Sequence, residues 1–408
     1  MPSAPPHWPT THRVRCQLRY CSQDCQQHYW RSGHQENCEI IHRGGDEQYH
    51  AEKKYKWAVA VAVKACAEDT TGQRCYICFE GDAEEGLVRG CACRGAAGFA
   101  HVSCLARQAK ILVEDAEARD LDDDKWDRWY TCGLCEQTYH GVVYCALGWA
   151  CWKTYVGRPE TDWARAGAMN VLGLGFFEAE HYEDALSVLE AELSMRRRLG
   201  ADEDHILSVQ GNLATTYLQL GRLEQALRMR QDVYSGLLRI NGEEDRDSLL
   251  EAHNLASSFI SLERFEEARS LMRKTIPVAQ RVAGEDAEVT LRMRWRYAEA
   301  LCWDTAATLD DVREAVTTLE ETLPTARRVL GGAHPFTVEV ERNLGDVRGL
   351  RAPRPRDAAA GERVTSSRDA SRRSRGGDLI NTLTRRPRRA AARSPAPPQI
   401  IRGWPGCR

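Results

Sequence analysis

The chain has 408 residues, 16 cysteines and a formal charge of −3 at neutral pH. Its longest uncharged, apolar-leaning run, "GVVYCALGWACW", has 12 residues and is too short for a membrane helix. No Walker motif, H-E-x-x-H pair or dinucleotide glycine pattern occurs, which argues against a small-molecule enzyme.

The cysteines argue for metal. The opening stretch "MPSAPPHWPTTHRVR" lacks the apolar core of a secretory signal, so a reducing compartment, cytoplasmic or nuclear, is expected. Fourteen of the 16 cysteines precede position 152 and only Cys302 and Cys407 follow it. A disulfide framework stapling the whole fold would be spread more evenly. Clustered cysteines in a reducing compartment read as metal ligands.

The first cluster is "CQLRYCSQDCQQHYWRSGHQENC". Cys21-x3-Cys25, Trp30 and His34-x3-Cys38 are similar to the second half of a MYND finger, with Tyr20 and Trp30 at its packing aromatics. Cys16, Cys21, Cys25, His34 and Cys38 match five of that family's eight ligands, and His12 is a further candidate. The resemblance, over 12–40, implies one zinc ion and binding of short Pro-rich peptides. The next segment, "AEKKYKWAVAVAVKACAEDT", reads as a helical linker over 51–71. Cys66 lies outside every ligand pattern and is expected as a buried thiol.

The second cluster, over 72–141, carries the stronger signal. Cys75-x2-Cys78, Cys91-x-Cys93, His101-x2-Cys104 and Cys132-x2-Cys135 place eight soft ligands in order. Zinc takes four tetrahedral nitrogen or sulfur ligands, so eight make two closed sites with no position left for a reactive water. A region this short buries a thin core, and zinc binding at about 10–16 kcal/mol per structural site supplies the missing stability. The spacing resembles the RING-CH, or RING-variant, finger, and "GCACRGAAGFAHVSCL" is similar to that family's central block. A PHD finger shares the ligand order, but the single residue in C-x-C and the seven residues before His101 favour RING-CH.

The resemblance implies a cross-brace. Cys75, Cys78, His101 and Cys104 would hold one zinc, and Cys91, Cys93, Cys132 and Cys135 the other. It also implies ubiquitin ligation without a covalent intermediate, with Ile77 touching a ubiquitin-conjugating enzyme. Two positions depart from many such ligases. Gln108 stands where a tryptophan is common, four residues after the sixth ligand, and Glu136 follows the last ligand where a basic residue is common. Trp126 or Trp129 would either replace the missing indole or pack in the core.

From Trp163 the chain becomes self-similar. Leu213, Ala214, Tyr217 and Ala226 recur 42 residues later as Leu255, Ala256, Phe259 and Ala268. An earlier copy has Leu172, Gly173, Phe176 and Ala185, and a later one has Tyr297, Ala298 and, after a five-residue insertion near "TAATLDD", Ala315. Leu344 and Gly345 begin a fifth. Small residues at fixed places in paired amphipathic helices suit stacked helical hairpins. The pattern over 163–350 resembles tetratricopeptide repeats of the kinesin-light-chain type, which implies a protein or peptide bound in the groove. Asn212 and Asn254 are either groove residues or structural hydrogen-bonders.

From Arg351 onward there are 15 arginines, no lysine and four acids, a balance of +11 that leaves −14 for the rest. Without apolar periodicity this tail, 351–408, is expected to be disordered, either a solvated tail without a role of its own or one serving nuclear import or tethering an anionic partner. The expected fold class is mostly α: small zinc-stabilised fingers, then an α-solenoid of helical hairpins, then the disordered tail. Two readings of function follow. One is a ligase whose finger recruits the conjugating enzyme and whose repeats recruit substrate; the other is a non-catalytic zinc-dependent scaffold. Neither a membrane nor nucleic acid is expected as a partner.

Overall fold

A computed structural model describes residues 35–81, 85–119, 125–332 and 334–351, with side chains from residue 47 onward except at 335, 350 and 351. Residues 12–34 of the expected 12–40 finger, with His12, Cys16, Cys21, Cys25 and His34, lie outside the described residues. Cys38 falls on a described helix, but its side chain is not described. The arginine-rich tail beyond Arg351 also lies outside.

The described residues form twelve α-helices, one short 3₁₀ turn and no β-strand; their only bridges are Val88 with Ala100 and Thr131 with Thr138. Helix α1 (Gln35–Thr70) begins 16 residues before the expected linker helix. It is no free linker. Tyr55, Ala58, Val59 and Ala62 are buried in one core with the cysteine-rich region. A Cβ on Gly86 of that region would stand 2.4 Å from the Val63 side chain of α1.

The cysteine-rich region carries α2 (Val102–Ala118) and the 3₁₀ turn Trp126–Trp129. Helix α3 (Gly141–Tyr155) follows directly and is apolar on every side. A helix without a polar face must be buried on all of them. Leu147, Ala150 and Cys151 are 0–1 % exposed, and α3 packs against α1, α2 and the next helix.

The array starts at α4 (Trp163–Glu178), paired with α5 (Tyr182–Arg198). Further hairpins are α6 (Glu203–Gln219) with α7 (Leu223–Asn241) and α8 (Arg246–Ser261) with α9 (Phe265–Ala283). The last is α10 (Glu288–Cys302) with α11 (Leu309–Val329), and α12 (Pro335–Arg351) stands alone. The recurring Ala185, Ala226, Ala268 and Ala315 are all 0 % exposed, small residues on the packed face of the second helix of each hairpin. In the fourth copy the intra-hairpin connection grows from three residues, as in Leu262–Arg264, to six, Trp303–Thr308, and Thr308 with Asp311 forms a capping box. The described part of the fifth copy is one helix. Its Glu341, Arg342, Asp346 and Arg348 are exposed.

Repeat geometry is also written in backbone and charge. Gly200, Gly242, Gly284 and Gly331 all have positive φ and end the second helix of each hairpin, the residue type that reverses a helix at least cost. Exposed pairs recur with the same period: Arg198–Glu160 (2.7 Å), Arg239–Glu203, Arg281–Glu244 (2.8 Å) and Arg328–Asp286 (2.7 Å). Such surface pairs contribute little individually. Inside the array lies a buried polar chain. Arg230, 0 % exposed, donates to both oxygens of Glu251 at 3.1 and 3.0 Å and to Thr215 Oγ1 at 2.6 Å. Asn254 and Asn212 are each 1 % exposed, and the Asn254 amide donates to Glu251 at 3.4 Å. Both asparagines are thus buried and off an open groove wall, and Asn254 joins this internal chain.

Candidate metal centre

Two C-x2-C turns organise the cysteine-rich region, and they are built alike. In the first, the Cys75 amide donates to Glu80 O (2.8 Å) and Phe79 N to Cys75 O (2.9 Å). In the second, Cys132 N donates to Gln137 O and Glu136 N to Cys132 O, both at 2.9 Å. Each turn aims one amide at its leading sulfur: Ile77 N to Cys75 Sγ and Leu134 N to Cys132 Sγ, both at 3.4 Å. Each closes with a left-handed residue after the second cysteine, Phe79 at φ 64° and Glu136 at φ 57°. The turns thus present two sulfurs each with amide dipoles that favour their charged form.

The remaining ligands complete two separate sites. Cys75, Cys78, His101 and Cys104 gather in one and Cys91, Cys93, Cys132 and Cys135 in the other, the ligand atoms of each lying within 4.8 Å of one another. Alternate pairs along the sequence therefore share a site, which is the cross-brace. The Cys78 and Cys104 sulfurs stand 3.4 and 3.7 Å from His101 Nδ1, and Cys93 Sγ is 3.8 Å from Cys132 Sγ. Tetrahedral zinc at its usual bond lengths requires about 3.6 Å between nitrogen and sulfur and about 3.8 Å between sulfurs. The donor set fits zinc.

Neighbouring groups fix the ligands. His101 Nε2 lies 2.9 Å from Gly81 O, so this nitrogen donates and leaves Nδ1 as the ligand. Gly98, at φ 83°, has no room for a side chain: a Cβ would stand 2.6 Å from Cys93 Cβ and 3.1 Å from Cys91 Sγ. The crowded thiols also conflict with one another. Cys132 is held down to about 4, first by its hydrogen bond with Cys91, while Cys104 is pushed up to about 12 by burial and by the Cys75 and Cys78 sulfurs. A divalent cation in each site removes the conflict by allowing every sulfur to ionise. With four protein ligands per ion, these zincs hold structure and leave no coordination position for a substrate.

Two expectations change, for Ile77 and Cys66, and the tryptophans follow the core-packing alternative. Ile77 is half-buried against the core and not freely exposed. The exposed apolar residues of the two turns are Phe79 (73 %) and Leu134 (52 %). Each sits one position outside or inside a cysteine pair, where the tight turn turns its side chain outward. Trp126 and Trp129 are 2 % and 0 % exposed, because the 3₁₀ turn packs them against Tyr155 and Trp163; neither replaces a surface indole. Cys66 is half-buried, its sulfur 3.9 Å from Arg89 O. Gln108 on α2 lies beside both turns: the Cβ position of Gly133 is 3.8 Å from Tyr76 Oη and 3.9 Å from Gln108 Oε1. A third group, Asp202, Asp204 and His205, also lies close together, at the start of α6. Sequence spacing alone did not mark it, because two acids and a histidine in a loop are common.

Two family models match parts of the chain. The family model of the RING-variant domain matches residues 75–135, and a tetratricopeptide repeat model matches residues 252–286, which span α8 and α9. No curated protein matches the chain. Similar solved structures include the nearly identical TPR-like repeats of a putative kinesin light chain from Podosopora anserina. That match has 14 % identity and a TM-score of 0.38, covering 56 % of this chain and 95 % of that one. BtubC (BKLC) from P. vanneervenii matches at 15 % identity and a TM-score of 0.37, covering 65 % of this chain and 97 % of that one.

Proposed function

We propose that the chain is a RING-CH-type ubiquitin ligase, in which the finger holds a ubiquitin-charged conjugating enzyme and the repeats hold a protein substrate. The supporting observation is the arrangement of the two zinc turns around α2. Ile77 from the first turn, Leu134 from the second and Gln108 from α2 come from three elements that meet around Tyr76 and Gly133. The zinc ions fix all three without any ligand position of their own. Such a finger works by orientation: it contributes no nucleophile and lowers the barrier by holding the thioester where an amine can attack.

A non-catalytic scaffold is the second reading, and one observation favours it. The residue after the last ligand, Glu136, is both acidic and locked at positive φ, so ubiquitin would meet a fixed negative charge there.

Autoubiquitination of the full chain against a panel of conjugating enzymes separates the two. Transfer that is lost in Ile77→Ala, with zinc content unchanged, supports the ligase. A single central apolar contact can be worth about 2 kcal/mol, roughly thirtyfold in affinity. Absence of transfer with every conjugating enzyme leaves the scaffold.

A further inference from the structure

Where α4, α5 and α6 meet, a cavity of about 280 Å³ opens to the surface. It is smaller than the sites that enclose a drug-sized ligand and suits one long side chain. Trp163, Met195 and Leu199 supply apolar wall.

Two observations mark it as more than a dimple. Arg196 lines it while being 8 % exposed. Its Nε donates to Glu192 Oε1 at 2.7 Å, and its Nη1 and Nη2 donate to no group among the described residues. Both of these nitrogens keep contact with solvent, so the outer edge of the guanidinium is open to an acceptor from outside. The rim supplies the opposite demand. Asp202 is exposed, forms no ion pair among the described residues, and makes no capping bond to α6. Arg198 and Glu160, both exposed, pair at 2.7 Å beside it.

Donors at the base, an aromatic wall and a free carboxylate at the rim fit a peptide segment bearing an arginine. Its main-chain carbonyl would accept from Arg196, its aliphatic stem would lie along Trp163 and Leu199, and its guanidinium would reach Asp202. We infer that this cavity binds an arginine of a basic peptide and that its occupant is the chain's own segment 352–408. From Arg351 onward the chain holds 15 arginines, no lysine and four acids, opposite in sign to the acidic remainder. Packed helices stand about 8–10 Å apart, so α12 and α5 are separated by a few tens of ångström, well within reach of such a segment. Tethering supplies an effective concentration in the millimolar range, enough for a contact through one side chain. The inference does not depend on ligase activity.

Limited trypsinolysis of the full chain tests it, with cleavage after each tail arginine followed by mass spectrometry. A synthetic peptide of residues 352–408 is digested in parallel as reference. Cleavage after the arginine that occupies the cavity should be about fivefold slower in the wild type than at the same arginine of the free peptide, the factor that one good ion pair supplies. Asp202→Asn and Leu199→Glu, both at exposed positions, should each restore the free rate with helical content unchanged. Equal rates for tail and peptide overturn the inference. So does protection that survives both substitutions, because the tail is then held elsewhere. If the tail is unprotected while a labelled basic peptide from another protein binds and is lost in Asp202→Asn, the cavity belongs to a partner, and the chain's own tail is not the occupant.

Discussion

Gly148 of α3 and Leu172 of α4 approach so closely that a Cβ on Gly148 would stand 3.0 Å from the Leu172 Cα. The contact is reciprocated: a Cβ on Gly175 would stand 3.0 Å from Cys145 Cα. Two helices meet backbone to backbone here, one ending the zinc finger and one beginning the repeat array. Zinc ligands Cys75, Cys91 and Cys132 and the α4 residues Ala168, Val171 and Leu174 belong to one continuous core. The finger and the first hairpin are therefore mechanically one piece.

Gly148→Ala should cost about 1–3 kcal/mol, because backbone on the far side cannot give way and the helices must separate. Urea unfolding followed by circular dichroism reads this. Zinc content per chain should be unchanged, since no ligand moves. An unchanged midpoint would show that α3 and α4 tolerate separation.

Chelation should act unevenly along the chain. Helices α2, α3 and α4 share their core with the ligands, whereas α8 to α12 have a separate one. Removing zinc at neutral pH should therefore strip amide protection from 102–118 and 141–178. Protection in 246–302 should persist, together with most of the helical signal. Hydrogen exchange with mass spectrometry distinguishes this from collapse of the entire array.

Gly98→Ala should weaken one zinc and spare the other. The added methyl meets Cys93 Cβ, and φ 83° strains any non-glycine residue. Elemental analysis during chelator competition should show one ion leaving at least tenfold more readily than in the wild type. Loss of both ions together would mean that the two sites cannot hold metal independently.

His253 sets a pH dependence inside the array. It is 0 % exposed, and burial, followed by the charges of Arg296 and Arg292, holds its pKa well below the usual imidazole value. The unfolded chain takes up a proton near pH 6.5 and the folded chain does not. Stability from this residue is thus complete above that pH and falls as pH drops through it, by about 1.4 kcal/mol per unit. Relative to His253→Gln, the wild type should lose urea stability between pH 6.5 and 5. Parallel profiles would assign the acid sensitivity to other groups.

Much of this was legible in one dimension. Zinc imposes a ligand number and type, so eight cysteine and histidine positions at short, regular spacings declare two sites before any coordinates exist. Helical repeats impose a period, so Ala185, Ala226, Ala268 and Ala315 mark where hairpins close. Helix α3 left a readable sign as well, an apolar run without a polar face, but its neighbours could not be named from it.

What the sequence determined by itself was therefore chemistry and periodicity: which residues can bind metal, and which recur. Only the tertiary structure decided that the linker α1 and helix α3 weld the finger to the array, and that Asn254 faces inward to Glu251. It alone decided that Ile77 is half-buried while Phe79 and Leu134 are exposed. The reason is physical. Ligand spacing and helical period are local properties of the chain, whereas burial depends on which distant surfaces meet. The close approach of Gly148 to Leu172 and of Gly175 to Cys145 exists only after both helices have packed.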